Sequence, residues 1–311
     1  MIFQPGSGTM AAVKVTIVGG AGGVGASTAF NLLLQRGGHE IVLVDARPEM
    51  IVSHVMDLEQ VLELSPGSSV RGGDAGDVRD ADVVVLLSAV PLTAGTPRIE
   101  YLAGNARIAD ELADGLGSGW DGTVVVVTNP VDPLVTRLQG RAGLDRRRVL
   151  GYTINDSLRL RTGFTKALGV PPGSVEAWVI GEHGDKSVPL FGRVTVNGAP
   201  VRPTPGQAAA AEEYFRTWYP IHVGLDSGRS STWTSGLGVA RMVAALGGDG
   251  EPWPASVVLD GEYGIEGVAV AVPVTIGRGG AEEIHEWELD PDELAALRAS
   301  AEFVRAAVES I

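Results

Sequence analysis

The sequence predicts an α/β protein in which a doubly wound parallel sheet is followed by a mixed α+β domain. Three features of the chain indicate this fold class. Short, apolar, β-branched runs alternate with helical stretches through the first half, which is typical of strands buried on both faces of a parallel sheet. A glycine-rich turn directly follows the first of these runs. After about Gly151, hairpin signals replace the alternation, so a second lobe is expected there.

The first lobe is predicted to contain several central strands. They comprise residues 13–18, 41–44, 83–87 and 123–127. Helices are predicted between them, including residues 23–35 and about 99–116. Because the first run is almost wholly apolar and β-branched, it is expected at the centre of the sheet. The parallel sheet should therefore lie within about residues 13–128.

The second lobe is predicted to be largely antiparallel. A helix over residues 156–168 should end at Gly169, since glycine followed by two prolines is a typical helix stop. Asn197 and Gly198 predict a hairpin, because both residues tolerate positive φ. Residues 220–230 are interpreted as a broken helix and a turn-rich insert. The remaining helices are expected near residues 206–218, 233–246 and 291–310, and strands near 257–259 and 268–274.

Composition limits the class of protein. A chain of 311 residues with 44% hydrophobic and 20% charged residues is an ordinary globular protein with room for two lobes. Its net charge of −14 disfavours a nucleic-acid-binding surface, which needs a basic stripe. No apolar run approaches the roughly 18–20 residues of a membrane span. No His, Asp and Glu grouping has metal-site spacing. We therefore expect no nucleic-acid, membrane or metal partner.

The N-terminus and the cysteine content bear on location. Residues 1–12 lack the basic start and apolar stretch of a secretion signal, and they are expected to form a flexible tail. The chain contains no cysteine, which excludes disulfides and thiolate metal ligands. These features fit a cytoplasmic protein.

A nucleotide-binding signature follows the first strand. Residues 20–25 read G-x-G-x-x-G between a strand and a helix, the arrangement in which a Rossmann domain binds a pyrophosphate at the helix N-terminus. With 43 glycines in the chain the spacing alone is weak, but its position strengthens it. Asp45 ends the second strand, where an acid bonds the ribose hydroxyls and repels a 2′-phosphate. The alternative role for Asp45 is that of a strand-end turn residue. The signature predicts NAD in preference to NADP.

A second set of residues has the parts for acid–base chemistry on a 2-keto acid. His183 lies in the segment Gly-Glu-His-Gly-Asp, and Asp156 and Arg159 stand three residues apart on one predicted helix face. A carboxylate can hold a histidine that transfers a proton near neutral pH, and a guanidinium can grip a carboxylate with two hydrogen bonds. Taken singly, His183 is better explained as a surface-loop histidine and Asp156 as a helix N-cap than as catalytic residues. Together with the nucleotide signature, they favour catalysis.

With these motifs placed, the chain resembles the L-lactate/malate dehydrogenase family from about Val13 to the C-terminal helix. The match also includes residues 128–132 (Thr-Asn-Pro-Val-Asp), residues 259–264, and a loop over residues 91–105 that contains Gly95 and Arg98. It looks closest to the lactate-dehydrogenase-like malate dehydrogenases. The resemblance implies an NAD-binding Rossmann domain over residues 13–151 and a catalytic domain over residues 152–311. It also implies a homodimer or homotetramer.

The resemblance implies a role for each catalytic residue. His183 exchanges a proton with the substrate oxygen and Asp156 orients it. Arg159 binds the substrate carboxylate, and Asn129 lies between nicotinamide and substrate. Arg98, on a mobile loop, polarises the carbonyl once the loop closes.

The resemblance also implies which residues surround the cofactor and the substrate side chain. Ser231 falls near the side-chain pocket. The implied cofactor-binding residues are Gly20, Gly22, Gly23, Val24, Gly25, Asp45, Asn105, Thr128 and Asn129.

Some positions depart from the family pattern. Position 92, six before Arg98, carries Arg in the malate enzymes and Gln in the lactate enzymes, and here it is Leu92. Pro97 precedes Arg98, and Asn155 stands where the family usually has an apolar residue. Because Leu92 cannot pair with a second carboxylate, a 2-keto acid with a neutral or apolar side chain is expected. The alternative is a malate dehydrogenase in which another arginine, such as Arg229, takes over.

Two other classes of function are compatible with a nucleotide-binding fold. An NAD-dependent glycosidase of similar fold uses metal ligands that include a cysteine, which this chain lacks. A non-catalytic nucleotide-binding protein would not need the set His183, Asp156, Arg159 and Arg98. Both classes are therefore disfavoured.

Overall fold

The fold is described from a computed structural model of the chain. The structure describes residues 12–35, 37–91, 98–248 and 250–311, and of residues 98–100 only the backbone.

The first lobe alternates strands and helices. Its elements are β1 (Lys14–Val18), α1 (Gly23–Leu33), β2 (Glu40–Val44), α2 (Pro48–Leu64), β3 (Ser69–Gly72), β4 (Val83–Leu86), α3 (Arg98–Leu116), β5 (Thr123–Val126), α4 (Val131–Ala142) and β6 (Val149–Tyr152).

These strands form a doubly wound parallel sheet. Their order is β3-β2-β1-β4-β5-β6, and every neighbouring pair is parallel. The order reverses between β1 and β4, so a crevice opens at the carboxyl ends of these two strands, where nucleotides bind in such folds. The predicted fold class is confirmed.

The strands of the sheet are buried on both faces. In β4, Val83 and Val85 belong to one hydrophobic cluster, while Val84 and Leu86 belong to another on the opposite side. This is why the strand is an uninterrupted apolar run rather than an alternating one.

The parallel region extends further than predicted. β6 lies beyond residue 128 and continues the sheet, and β3 forms its outer edge. Neither strand was predicted. β3 has a single buried side chain, Val70, so its sequence carries little strand signal. β6 is a fully buried run of only four residues that follows Arg146–Arg148.

The second lobe contains short strands and long helices. Its elements are α5 (Ile154–Leu168), β7 (Val175–Glu176), β8 (Val179–Gly181), β9 (Ser187–Pro189), β10 (Thr195–Val196), β11 (Ala199–Pro200), α6 (Pro205–Gly224), α7 (Thr232–Ala245), β12 (Pro252–Asp260), β13 (Glu266–Gly277), β14 (Gly280–Ile284) and α8 (Pro291–Glu309).

The two lobes share one sheet. β12 pairs antiparallel with β6 and continues through β13 to β8 and β9. Segments from both lobes therefore meet where β6, the last parallel strand, lies beside β12. The predicted hairpin is also present: β10 pairs with β11 around Asn197 and Gly198, whose φ angles are 52° and 81°.

Helix α6 differs from the prediction. The interpretation of residues 220–230 as a broken helix was wrong for residues 220–224, because α6 continues through Pro220 to Gly224. A proline removes one backbone donor, and packing elsewhere can sustain the helix around it. Here Ala211 and Phe215 of α6 share a buried cluster with Leu160 and Phe164 of α5.

Candidate active site

The glycine-rich turn lies between β1 and α1. Gly19 adopts a φ of 100°, and the backbone N–H of Gly20 donates to the carbonyl of Val44 at 3.0 Å. At Gly25, a Cβ atom would lie 2.4 Å from the carbonyl oxygen of Gly19, so only glycine lets the helix approach the turn. Within the described residues no side chain caps α1, whose first N–H groups are suited to bind a pyrophosphate.

Asp45 lies beside this turn. Its Oδ2 accepts the backbone N–H of Ala21 at 3.1 Å, and its Oδ1 accepts from Nε of Arg47 at 3.0 Å. Burial opposes ionisation of Asp45, but the bonds from Arg47 and Ala21 outweigh it and lower the pKa of the carboxyl group. The carboxylate of Asp45 is therefore held in place beside the glycine-rich turn by Ala21 and Arg47. Arg47, which the sequence reasoning missed, is its ionic partner.

Thr128 and Asn129 follow β5, at the carboxyl edge of the sheet. Thr128 is buried, and its hydroxyl donates towards the carbonyls of Leu86 and Ser88. Asn105 is also buried; it accepts the N–H of Val90 at 2.8 Å and donates to the carbonyl of Asn129 at 2.7 Å. Asn105 and Thr128 thus use their side chains to hold loops. Asn129 is exposed, at a cis peptide bond with Pro130.

His183 and Asp156 are in direct contact. Nδ1 of His183 lies 2.6 Å from Oδ2 of Asp156, and both side chains are largely buried. α5 begins at Ile154 with Thr153 as its N-cap, so the alternative reading of Asp156 as the helix N-cap is wrong. Burial disfavours the charged imidazole, but the charge and hydrogen bond of Asp156 outweigh this and raise the pKa of His183. The pair can hold a proton near neutral pH.

A second buried carboxylate holds the backbone of His183. Oδ2 of Asp132 accepts the N–H of His183 at 2.7 Å, and Oδ1 accepts the hydroxyl of Ser256 at 2.6 Å. Burial raises the pKa of Asp132 to about 6, although both hydrogen bonds favour the carboxylate. Sequence reasoning assigned Asp132 no role. The available signal was an acidic residue within the otherwise apolar segment Pro130–Val135.

Arg159 shares Asp156 with His183. Its Nη1 lies 3.2 Å from Oδ1 of Asp156, and its guanidinium lies 4.4 Å from the ring centre of Trp218. Burial lowers the pKa of Arg159 from its usual value, against the opposing charge of Asp156. An arginine nevertheless stays charged in proteins. No hydrogen bond from its Nε or Nη2 to another described residue is present, so both groups remain available to an anion.

Two other residues noted in the sequence, Asn155 and Ser231, lie at the start of α5 and of α7 respectively. Ser231 is the N-cap residue of α7 and is half-buried. Asn155, unusual for the family, is buried and bonds to the Tyr152 hydroxyl and to Oγ of Ser235, each at 2.9 Å. The bonds join α5 to β6 and to α7, which explains how a polar residue is accommodated there.

Several predicted positions lie outside the described residues. They are Leu92, Gly95, Pro97 and the side chain of Arg98. The expected loop over residues 91–105 is shorter than predicted, because α3 begins at Arg98.

Two kinds of feature are absent from the part of the chain that the structure describes. Nowhere in the described ranges do three or more His, Cys, Asp or Glu side chains group in a way that could hold a metal ion. Likewise, the helices that the structure describes include none with the length and apolarity to cross a membrane.

Together, the fold and the site define the class of protein. A Rossmann sheet with its glycine-rich turn and an acid beside that turn meets a lobe that carries a histidine–aspartate pair beside an arginine. This arrangement defines a nicotinamide-dependent dehydrogenase. The chain belongs to the lactate/malate dehydrogenase family. The NAD binding domain of that family matches residues 13–151, and its alpha/beta C-terminal domain matches residues 153–218 and 223–311.

Similar proteins include both kinds of enzyme. The chain is 36% identical to a malate dehydrogenase of Halobacterium salinarum, over 96% of this chain and 99% of the relative. It is also 36% identical to an L-lactate dehydrogenase of Lactobacillus delbrueckii subsp. bulgaricus, again over 96% and 99%.

Solved structures are similar over the same length. A minor L-lactate dehydrogenase from Enterococcus mundtii superposes with a TM-score of 0.89 at 29% identity, covering 96% of this chain and 98% of that one. A malate dehydrogenase from Salinibacter ruber gives 0.87 at 31% identity, covering 96% and 97%. The predicted family, the NAD cofactor and the activity of an NAD-dependent 2-hydroxy acid dehydrogenase are thereby confirmed.

Proposed function

We propose that this dehydrogenase is specific for L-2-hydroxy acids and 2-keto acids with a neutral or apolar side chain. The observation that carries the chemistry is the shared carboxylate of Asp156, which contacts His183 through Oδ2 and Arg159 through Oδ1. One group thus places a proton donor and a carboxylate-binding cation side by side. A 2-keto acid has its reacting carbonyl next to its carboxylate, which matches this spacing.

In the proposed reduction, the keto carbon accepts a hydride from NADH and the keto oxygen accepts a proton from His183. The products are the 2-hydroxy acid, NAD⁺ and neutral His183, which regains its proton from solvent. Arg159 binds the substrate carboxylate, and Asn129 bonds to the substrate beside the nicotinamide. Arg98 polarises the carbonyl; its side chain lies outside the described residues.

The proposed cofactor site is the β1–α1 turn with Asp45. Gly20, Gly22, Gly23, Val24 and Gly25 surround the pyrophosphate, and Asp45 bonds the ribose. Asn105, Thr128 and Asn129 complete this site, the first two through the loops that they hold. We also propose that residues 13–151 act as the nucleotide-binding domain and residues 152–311 as the substrate domain.

The proposed side-chain preference depends on position 92. Position 92 lies outside the described residues. By the family resemblance, a second carboxylate on the substrate would meet this position, and a leucine cannot pair with it. Ser231, at the start of α7, is proposed to line the same pocket.

A second candidate is a malate dehydrogenase. Halophilic relatives at 36% and 34% identity carry that name. In this alternative an arginine other than position 92 pairs with the second carboxylate. Arg229 is exposed in the turn after α6, and its carbonyl bonds to Nε2 of His222.

A panel of keto acids tests both candidates. NADH oxidation would be followed by absorbance with pyruvate, longer monocarboxylic keto acids and oxaloacetate, and kcat/KM compared. We expect the monocarboxylic acids to exceed oxaloacetate. The opposite order would establish the malate alternative, and no turnover with any member would refute the dehydrogenase proposal for this substrate class.

The assembly is proposed to be a homodimer or homotetramer. Helix α1 packs against both α2 and α7. These helices expose large apolar side chains, namely Phe30, Val52, Met56, Trp233 and Leu237. An exposed apolar face of this kind is typical of a subunit interface. The mass in solution, measured by light scattering, tests the proposal.

A cytoplasmic location, where an NAD pool is available, is also proposed.

A further inference from the structure

The guanidinium carbon of Arg159 lies over two aromatic rings of α6. The ring centre of Trp218 lies 4.4 Å from the guanidinium carbon, and that of Tyr219 lies 5.8 Å away. A carboxylate is bound through the in-plane N–H groups of an arginine, two at a time. A cation–aromatic contact at the guanidinium carbon therefore restrains the group without placing a competing carboxylate at these donors.

Trp218 is itself held from two directions. Three residues before it, Phe215 packs into the buried cluster between α5 and α6. On its outer side, the ring of His222 stacks on the indole, with ring centres 4.9 Å apart and planes 14° apart. Nε2 of His222 lies 3.0 Å from the carbonyl oxygen of Arg229, which joins the stack to the turn after α6.

The outer part of this stack belongs to a segment that departs from the family. The family's C-terminal domain matches residues up to 218 and resumes at residue 223. Trp218 is thus the last matched residue before the gap, and His222 lies within the gap. The continuation of α6 through Pro220 is what brings the imidazole back over the indole, one helical turn later.

We propose that Trp218, backed by His222, is a positioning residue that fixes the plane of the Arg159 guanidinium for the substrate carboxylate. The inference rests on the proposed role of Arg159 as the carboxylate clamp. Asp156 restrains the guanidinium through a single contact at Nη1, which leaves rotation about that contact open. The indole removes this freedom, so the two remaining donors face the substrate before it binds. Less side-chain entropy is then lost on binding.

The test compares Trp218→Leu with a matched control between the same two helices. Tyr214 of α6 lies over Nζ of Lys166 of α5, with 4.3 Å between the nitrogen and the ring centre. It stands one turn before Trp218 on the same helix, so Tyr214→Leu also removes a cation–aromatic contact between α5 and α6. Binding of oxamate, an unreducible 2-keto acid analogue, would be measured by calorimetry on NADH-loaded enzyme, together with KM and kcat for the best keto acid.

We expect Trp218→Leu to raise the oxamate Kd and the keto-acid KM by about 5- to 30-fold. The Kd for NADH should stay within about twofold, and the conservative variant Trp218→Phe should recover most of the lost affinity. Tyr214→Leu should change the keto-acid KM by less than about twofold. An unchanged oxamate Kd in Trp218→Leu, an equal loss in Tyr214→Leu, or no recovery in Trp218→Phe would overturn the inference.

Arg159→Ala separates this inference from the proposed function. If Arg159→Ala loses oxamate binding while Trp218→Leu does not, the clamp stands and the positioning role of Trp218 fails. If Arg159→Ala binds oxamate like the wild type, the clamp itself is refuted. Melting temperatures of all variants would show whether a loss of affinity reflects a loss of fold.

Discussion

Asp156 contacts His183 and Arg159 through different oxygens of one carboxylate, with Oδ2 lying 2.6 Å from Nδ1 of His183 and Oδ1 lying 3.2 Å from Nη1 of Arg159. The carboxylate therefore fixes the distance between His183, the proposed proton donor, and Arg159, the proposed substrate clamp. It also explains why the pKa of His183 is raised even though burial acts in the opposite direction. A neighbouring cation, Arg159, works against the protonated imidazole, and Asp156 neutralises that repulsion.

The raised pKa of His183 predicts opposite pH dependences for the two directions. Reduction needs protonated His183, so its kcat/KM should be constant at lower pH and fall as pH rises through a pKa above 6.5. Oxidation needs the neutral imidazole and should rise through the same pKa. Profiles of kcat/KM in both directions, with buffers of constant ionic strength, check this. An alkaline limb for reduction centred below pH 6.5 would contradict it.

Substitution of His183 should lower kcat, whereas substitution of Arg159 should raise the KM for the keto acid. His183→Ala should lower kcat by about 10²- to 10⁴-fold, because it removes the proton donor but no contact with the nucleotide. Arg159→Ala should mainly raise the keto-acid KM, since two hydrogen bonds to the carboxylate are lost. Steady-state kinetics and NADH fluorescence titration separate the two effects. Full activity of His183→Ala would end the proposed mechanism.

Asp132→Asn tests the carboxylate behind His183. The amide can still accept the N–H of His183 and bond to Ser256, but the negative charge that helps to raise the pKa of His183 is gone. The alkaline limb of reduction should therefore move to lower pH, by up to about one unit. The other two charged groups that act on the pKa of His183, Asp156 and Arg159, are unchanged in this variant. Ser256→Ala, which keeps Asp132, serves as the control for altered packing.

The stability of Asp132→Asn should also depend on pH. Because the folded-state pKa of Asp132 is raised to about 6, the native protein binds its proton more tightly than the unfolded chain does, and its ionisation destabilises the fold as pH rises from about 4 to 6. The variant lacks this ionisation. The difference in unfolding free energy between variant and wild type should thus shift in favour of the variant between pH 4 and pH 7, by about 1–3 kcal/mol. Denaturant titrations at the two pH values measure the shift; a pH-independent difference would contradict it.

The parts of the site that the sequence predicted are those with local signals. The glycine spacing at Gly20–Gly25, directly between a predicted strand and a predicted helix, predicts the nucleotide-binding turn. The three-residue spacing of Asp156 and Arg159 predicts that they share one helical face. The contact between Asp132 and His183 joins residues 51 positions apart, and the bond to Ser256 spans 124. Such contacts depend on how β12 joins the sheet, which no local pattern encodes.

The predicted break in helix α6 at Pro220 is wrong. Pro220 predicted a helix break, whereas burial of Phe215 against α5 sustains α6 beyond it. Tertiary packing outweighed the local signal, and so the stack of Trp218 and His222 could not be anticipated. β3 was missed for the opposite reason, because as an edge strand it buries only one side chain and needs little apolar sequence.

The preference for NAD should depend on Asp45. Its carboxylate would face a 2′-phosphate, and like charges in contact are unfavourable by several kcal/mol. Asp45→Ser should narrow the NADH/NADPH ratio of kcat/KM by at least about tenfold, because it also frees Arg47 to pair with the phosphate. The double variant Asp45→Ser with Arg47→Ala should lose part of that gain. Equal turnover of NADH and NADPH by the wild type would refute the role of Asp45.

The substrate preference should respond to charge at position 92, which lies outside the described residues. A second carboxylate left unpaired in a desolvated site is disfavoured by about 2–5 kcal/mol, so oxaloacetate should be a poor substrate of the wild type. Leu92→Arg should supply the missing partner and raise kcat/KM for oxaloacetate relative to pyruvate by at least about tenfold. Leu92→Met, which alters shape without adding charge, should not raise it. If the wild type already prefers oxaloacetate, and Arg229→Ala abolishes that preference while Leu92→Arg adds nothing, the second carboxylate is bound by the turn after α6 and the assignment to position 92 is wrong.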